Sequence, residues 1–266
     1  MKRLLIMAGA AALLILNGGS GIASPSARHG SAKAAKVAAH SAGAPATVGY
    51  KLVAWGELGM HCIDGKDYSV FSVLPPYNVI HAQLIQTTEP PALITSGVTI
   101  TYQATNDTKS SFNSSSASKT NFWDYVPVLF QANLAPEMGL AGYQTQSTVP
   151  FPMTYNAVEG YWEAVGIPTV PYDDKMALNP FPMAQIVAKD LSGNVLATAS
   201  IVLAVSDEMT CSTCHASNSD INAKPAAGWV NNPDPAKDVK HNILRKHDDR
   251  WPISKYLPAL KSMGYT

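Results

Sequence analysis

Five residues, Cys211-Ser212-Thr213-Cys214-His215, set two thiols and an imidazole at a spacing with a definite chemical use. In C-x-x-C-H the two cysteines reach the two vinyl groups of one haem, and the histidine that follows meets the iron. Two other chemistries use parts of the pattern. A dithiol redox pair needs no such histidine and favours a βαβ setting, which is not apparent here. A zinc site could draw on Cys211, Cys214, His241 and His247, but such sites are more typical of intracellular modules. The spacing therefore implies one haem c, held by Cys211 and Cys214, with His215 as proximal ligand.

A sixth ligand must come from elsewhere. His241 and His247 fall in one predicted helix, and six positions separate them by about 120° around its axis. His247 shares a stripe with Val239 and Ile243, with Leu244 beside them, and that face suits an apolar porphyrin. His241 points elsewhere and is expected to be solvated. His247 is the preferred ligand, with His241, Met209, Met263, another group or an open iron position as the alternatives. A lone histidine on an apolar stripe is also an ordinary core residue.

Met60-His61-Cys62, taken with His81, offers the ligand types of an electron-transfer copper site. The usual copper loop, however, gathers cysteine, histidine and methionine on one turn, and this spacing does not. The expectation is a buried free thiol at Cys62 beside a structural His61, without copper. His61, Cys62 and His81 stay as secondary metal candidates, and an intermolecular disulfide at Cys62 stays open. Asp173-Asp174 is expected to be solvated in its Pro-Tyr loop. No nucleophile–base order, phosphate-binding glycine loop or paired-carboxylate signature stands out, so an electron carrier is expected rather than an enzyme.

The elements that position these residues follow an N-terminal export signal. Met1-Lys2-Arg3 is basic, Leu4 to Leu16 is apolar, and Gly21 and Ala23 suit signal peptidase, which predicts a signal peptide over 1–23. The apolar run is shorter than the roughly 20 residues of a membrane span. No transmembrane segment is expected once it is cleaved, and the product is exported, periplasmic or extracellular. Residues 24–47 are rich in Ala, Ser and Gly and read as a flexible linker, with His29 and His40 solvated. Without the signal, 17 Lys and Arg face 19 Asp and Glu, a balance that suggests no nucleic-acid partner. With only three cysteines, two of them assigned to haem, a disulfide framework is not expected.

Residues 48–208 read as a mainly β, sandwich-like domain. Val79–Ile85 and Val98–Tyr102 are strand-like, and Met183–Lys189 with Val195–Val205 form a hairpin about Gly193-Asn194. Frequent prolines rule out long helices there, although short helical turns are expected near Asn121–Phe130. Residues 209–266 read as a small helical haem segment. In it Ser206-Asp207 would cap the attachment helix, Asp234-Pro235 would start the next, and Trp251-Pro252 would end that one. Charge divides as well, with 14 acidic and 6 basic residues in 48–208 but 4 and 8 in 224–266.

Several stretches resemble a group of exported bacterial c-type cytochrome proteins, often multihaem, of poorly defined function. The carrying residues are Leu58-Gly59-Met60-His61-Cys62, Asp67 to Asn78 (DYSVFSVLPPYN), Ile80-His81-Ala82-Gln83, Lys119 to Trp123, Ser206 to Cys211, and Asn242 to Asp248 (NILRKHD). The likeness spans most of 50–265. It implies a β-rich domain ahead of a haem segment but no particular reaction. Members tend to be longer, so further haem domains are expected if this chain is truncated.

These readings converge on a monohaem cytochrome that passes single electrons to a redox partner protein. A haem oxidase or peroxidase half-site, with His61 or His81 over an open iron, is one alternative. A β-domain binding module with accessory haem is the other.

Overall fold

The alternation of apolar and polar residues along three strands decides where the core lies. In the computed structural model, which describes residues 48–207, 211–252 and 258, Ile80, Ala82 and Leu84 point inward from one strand. Ile100, Tyr102 and Ala104 do so from a second, and Ala184, Ile186 and Ala188 from a third. Each large aliphatic side chain buried in this way contributes about 1.5–3 kcal/mol of transfer free energy. The predicted signal peptide and linker, Met209 and Met263 lie outside the described residues, as do His29 and His40.

The protein is mainly β with a few helices. One sheet is built from β1 (Tyr50–Gly56), β3 (Asn78–Gln86), β8 (Tyr161–Ile167) and β7 (Thr154–Asn156), antiparallel in that order. The short β4 (Ala92–Ile94) also pairs with β3. A second antiparallel sheet runs β10 (Val195–Val202), β9 (Met183–Asp190), β5 (Val98–Thr105), β6 (Phe151–Pro152). The inner faces of both sheets meet in one apolar cluster that includes Ile80, Leu84, Ile100, Ile167 and Ile186.

The expected hairpin is present, and its turn differs in detail. Gly193 takes a positive φ of 88°, whereas Asn194 does not and works through its side chain. Asp190 closes the turn, its carboxylate accepting hydrogen bonds from the Ser192 and Asn194 amides and from Asn194 Nδ2.

A third pairing was not expected. The two-residue strands β2 (His61–Cys62) and β11 (Val205–Ser206) lie parallel, with Val205 opposite His61 and Ser206 opposite Cys62. This ladder delivers the chain from the second sheet to the C-x-x-C-H segment. It also corrects the predicted cap. The Ser206 carbonyl accepts the Ile63 amide in the ladder, and the attachment helix α2 (Ser212–His215) begins behind Cys211 with no side-chain cap.

Helix α1 (Phe122–Phe130) lies where helical turns were expected and buries Phe122 and Val126 against Tyr68. Asn121, just before it, holds the loop below by accepting the Tyr68 amide at 2.6 Å and donating to Asp67 at 2.7 Å. Helix α3 (Pro235–Arg250) starts as predicted, with the Asp234 carboxylate accepting the Ala236 and Lys237 amides, and it ends at Trp251. Among the described residues no helix is long and apolar enough to cross a membrane.

The Asp173-Asp174 expectation is overturned for Asp173, whereas Asp174 is exposed as expected but not without partners. Asp173 is buried and accepts from Ser111 Oγ and from the Lys175 and Ala177 amides. Asp174 pairs with the buried Lys119 ammonium at 2.9 Å and accepts from Ser114. Burial alone would raise both carboxyl groups, but these donors outweigh it and hold them below their ordinary range.

Where the loop of Gly139 crosses β8, the backbones leave no space for a side chain. A Cβ on Gly139 would fall 1.9 Å from the Gly166 carbonyl oxygen. Gly139→Ala should therefore lower stability by about 1–3 kcal/mol, as overpacking does, read as a lower urea midpoint. A midpoint equal to wild type would show that the crossing yields freely.

Candidate haem-attachment site

Residues 211–252 are short of apolar core. Ala223 and Pro225 are their buried apolar residues, and the buried side chains of α3 are Asp238, Lys240 and Asn242. Polar bonds hold the segment together instead. The Asp238 carboxylate accepts from Ser217 N and Oγ, both at 2.7 Å, and from the Asn232 amide at 2.8 Å. Asn242 accepts the Val230 amide and donates to Ser217 Oγ. These bonds fold the chain that follows C-x-x-C-H back along α3.

On its other side α3 meets the β domain across an apolar cleft of about 360 Å³. Val239 and Ile243 of α3, Phe71 and Val73 of the β domain, and Cys211 and Ser212 line it, whereas Cys214, His215 and His247 are not among its lining residues. Asp64, Asp207 and Lys240 supply the polar lining. The volume lies at the lower end of the ~300–1,000 Å³ typical of small-molecule sites. Lys240 ties α3 to the β domain, donating to the Asp67 and Phe71 carbonyls.

Cys211 is partly exposed, Cys214 is exposed, and both thiols are free. The one-turn helix α2 carries His215, whose amide bonds the Cys211 carbonyl at 2.8 Å. The His215 ring is partly buried, and its Nδ1 is enclosed with no hydrogen-bond partner among the described residues. Two free thiols, an imidazole directly after them and an adjoining apolar cleft form a donor set that fits haem c.

Val239 and Ile243 face the cleft, as the helical stripe predicted. His247 continues that stripe one turn further on, but it stands exposed outside the lining, 3.2 Å from the Asp248 carboxylate. His241, expected to be solvated, is half-buried.

The secondary metal candidates are not drawn together. His61 is buried against Tyr77, with ring centroids 4.6 Å apart, and its Nε2 lacks a partner among the described residues. Burial pushes its pKa down, while the Glu57 carboxylate pulls it up. His81 stacks on Tyr161 at 4.2 Å, with Trp55 edge-on to both. Cys62, expected to be buried, is exposed, because strand alternation gives the inward position to His61. Among the described residues no three His, Cys, Asp or Glu side chains gather as a metal group.

No protein-family model matches the chain, and no curated protein sequence matches it.

Sequence reasoning missed Lys240 and Asp238, the two side chains that fasten α3. Their charge and their helical positions were visible, but their burial and their partners were not. Burial alone would raise the Asp238 carboxyl, but the bonds from Ser217 and Asn232 outweigh it and hold the group below its ordinary value. A depressed carboxyl stabilises the fold above its unfolded pKa, about 3.9, and that support is lost as pH falls through the folded value. Asp238→Ala leaves the Ser217 and Asn232 donors without this acceptor, at about 1–3 kcal/mol for each buried orphan. The variant should show faster amide exchange in α3 and a weaker loss of stability below about pH 4. Exchange and acid profiles equal to wild type would remove Asp238 from this role.

Proposed function

We propose that the protein is an exported c-type cytochrome, a β-sandwich-like domain with a small haem segment, that carries single electrons to and from a partner redox protein. The observation that carries the reading is the C-x-x-C-H sequence beside an apolar cleft that its Cys211 and Ser212 line, in a segment whose described residues 211–252 fully bury two small apolar residues. So small a segment ordinarily needs a staple or a cofactor to complete its core. Haem supplies a one-electron ferric/ferrous couple when bound. Cys211 and Cys214 would fix its vinyl groups as thioethers, and His215 would ligate the iron. Val239, Ile243, Phe71 and Val73 would exclude water from the porphyrin face.

His247 is proposed as the second axial ligand. It shares a helical face with Val239 and Ile243, and as ligand it would leave the Asp248 carboxylate for the iron. His61 and His81 are each packed against aromatic rings, His61 on Tyr77 and His81 on Tyr161, and no observation favours an enzyme half-site with either one overhead.

After co-expression with a cytochrome c maturation system, haem should stay on the chain through acid denaturation and be lost in Cys211→Ala/Cys214→Ala. Haem that washes out of wild type, or a stain unchanged in the double variant, would refute attachment.

His247→Ala should convert low-spin iron to a high-spin or water-bound form, while His241→Ala leaves it low-spin. A near-infrared methionine band in wild type would move the ligand to Met209 or Met263. An unchanged spectrum in His247→Ala would return His247 to the surface.

A further inference from the structure

Lys240 carries a buried charge with no carboxylate in direct contact. It is 7 % exposed, yet among the described residues no carboxylate lies within ion-pair distance of its ammonium. Its partners are the neutral Asp67 and Phe71 carbonyls, with the Tyr68 and Phe71 rings 5.4 and 5.3 Å away. An ammonium has three N–H donors, and these carbonyls take two. Asp64 and Asp67 act on it from beyond ion-pair distance. Asp64 accepts the Val73 and Leu74 amides, and Asp67 accepts Ser69 and Asn121.

Charges taken out of water are normally paired, because the desolvation cost is otherwise unmet. Lys240 also lines the cleft, next to the apolar wall of Val239 and Ile243. We infer that its ammonium is the anchor for one carboxylate on the group that fills the cleft. This rests on the proposed haem, where the carboxylate is a porphyrin propionate. Asp64 and Asp207 on the same lining favour a single carboxylate over a polyanion such as phosphate. Burial pushes the Lys240 pKa down and Asp64 and Asp67 pull it up, and a carboxylate at the third donor would keep it protonated.

The test is a redox titration of the haem-loaded protein across pH for wild type, Lys240→Met and Lys240→Arg. A cation beside a carboxylate lowers its pKa by about 1–3 units. In Lys240→Met the pH at which the potential bends should rise by about that amount, and the potential at neutral pH should fall. Lys240→Arg should stay near wild type. A bend and potential in Lys240→Met equal to wild type, with haem attached, overturn the inference.

If Lys240→Met does not fold or load, an infrared titration of the wild-type haem carboxylates decides. One carboxylate ionised well below its ordinary range supports the pairing, and ordinary titration of both refutes it. If wild type carries no covalent haem, the haem proposal fails separately, and laurate titrated into wild type and Lys240→Met decides. Binding about tenfold or more weaker in the variant supports the anchor, whereas equal binding, or none to wild type, overturns it.

Discussion

Residues 211–252 must stay ordered with little fully buried apolar surface of their own, and the rest of the account depends on that constraint. Two small buried apolar residues in 211–252 cannot offset the conformational entropy of ordering them. Polar fastening covers part of the cost. Asp238 joins Ser217 and Asn232 to α3, and Lys240 ties α3 to the 67–71 loop. The apolar stripe of Val239 and Ile243 is left facing a cleft rather than a side-chain core. A porphyrin set there would complete the layer that the sequence does not supply.

The β domain contributes rigidity and one wall. Its two sheets share a single core, and Asn121 pins the Asp67-Tyr68 turn that receives Lys240. The short β2–β11 ladder then hands the chain toward the attachment helix, so the cysteines start from a fixed place. The cleft therefore meets the β domain at the 64–73 loop. On the first sheet's outer face, His81 is occupied by Tyr161 and Trp55.

What the sequence disclosed was local. Strand alternation around Ile80 and Ile100, the Asp190–Asn194 turn, the Asp234-Pro235 start and the Val239/Ile243 stripe all depend on near neighbours. What it concealed was distant. Lys240 reaches a carbonyl 173 positions away, and Lys119 meets Asp174 from 55 positions away. Neither partner can be read from spacing, so the Lys119–Asp174 pair and the anchoring of Lys240 on the 67–71 loop were hidden. The exposure of Cys62 follows from which face of a two-residue strand turns inward, and that needs the parallel partner. The C-x-x-C-H motif was visible because it occupies five consecutive residues.

The central claim is that a covalently held haem completes the core of the C-terminal segment. Amide exchange along α3, compared between haem-loaded wild type and haem-free Cys211→Ala/Cys214→Ala, tests it most directly. The account predicts strong protection of α3 amides with haem and a marked loss without it, while β3, β5 and β9 stay protected in both. Equal protection of α3 in the two proteins would contradict it.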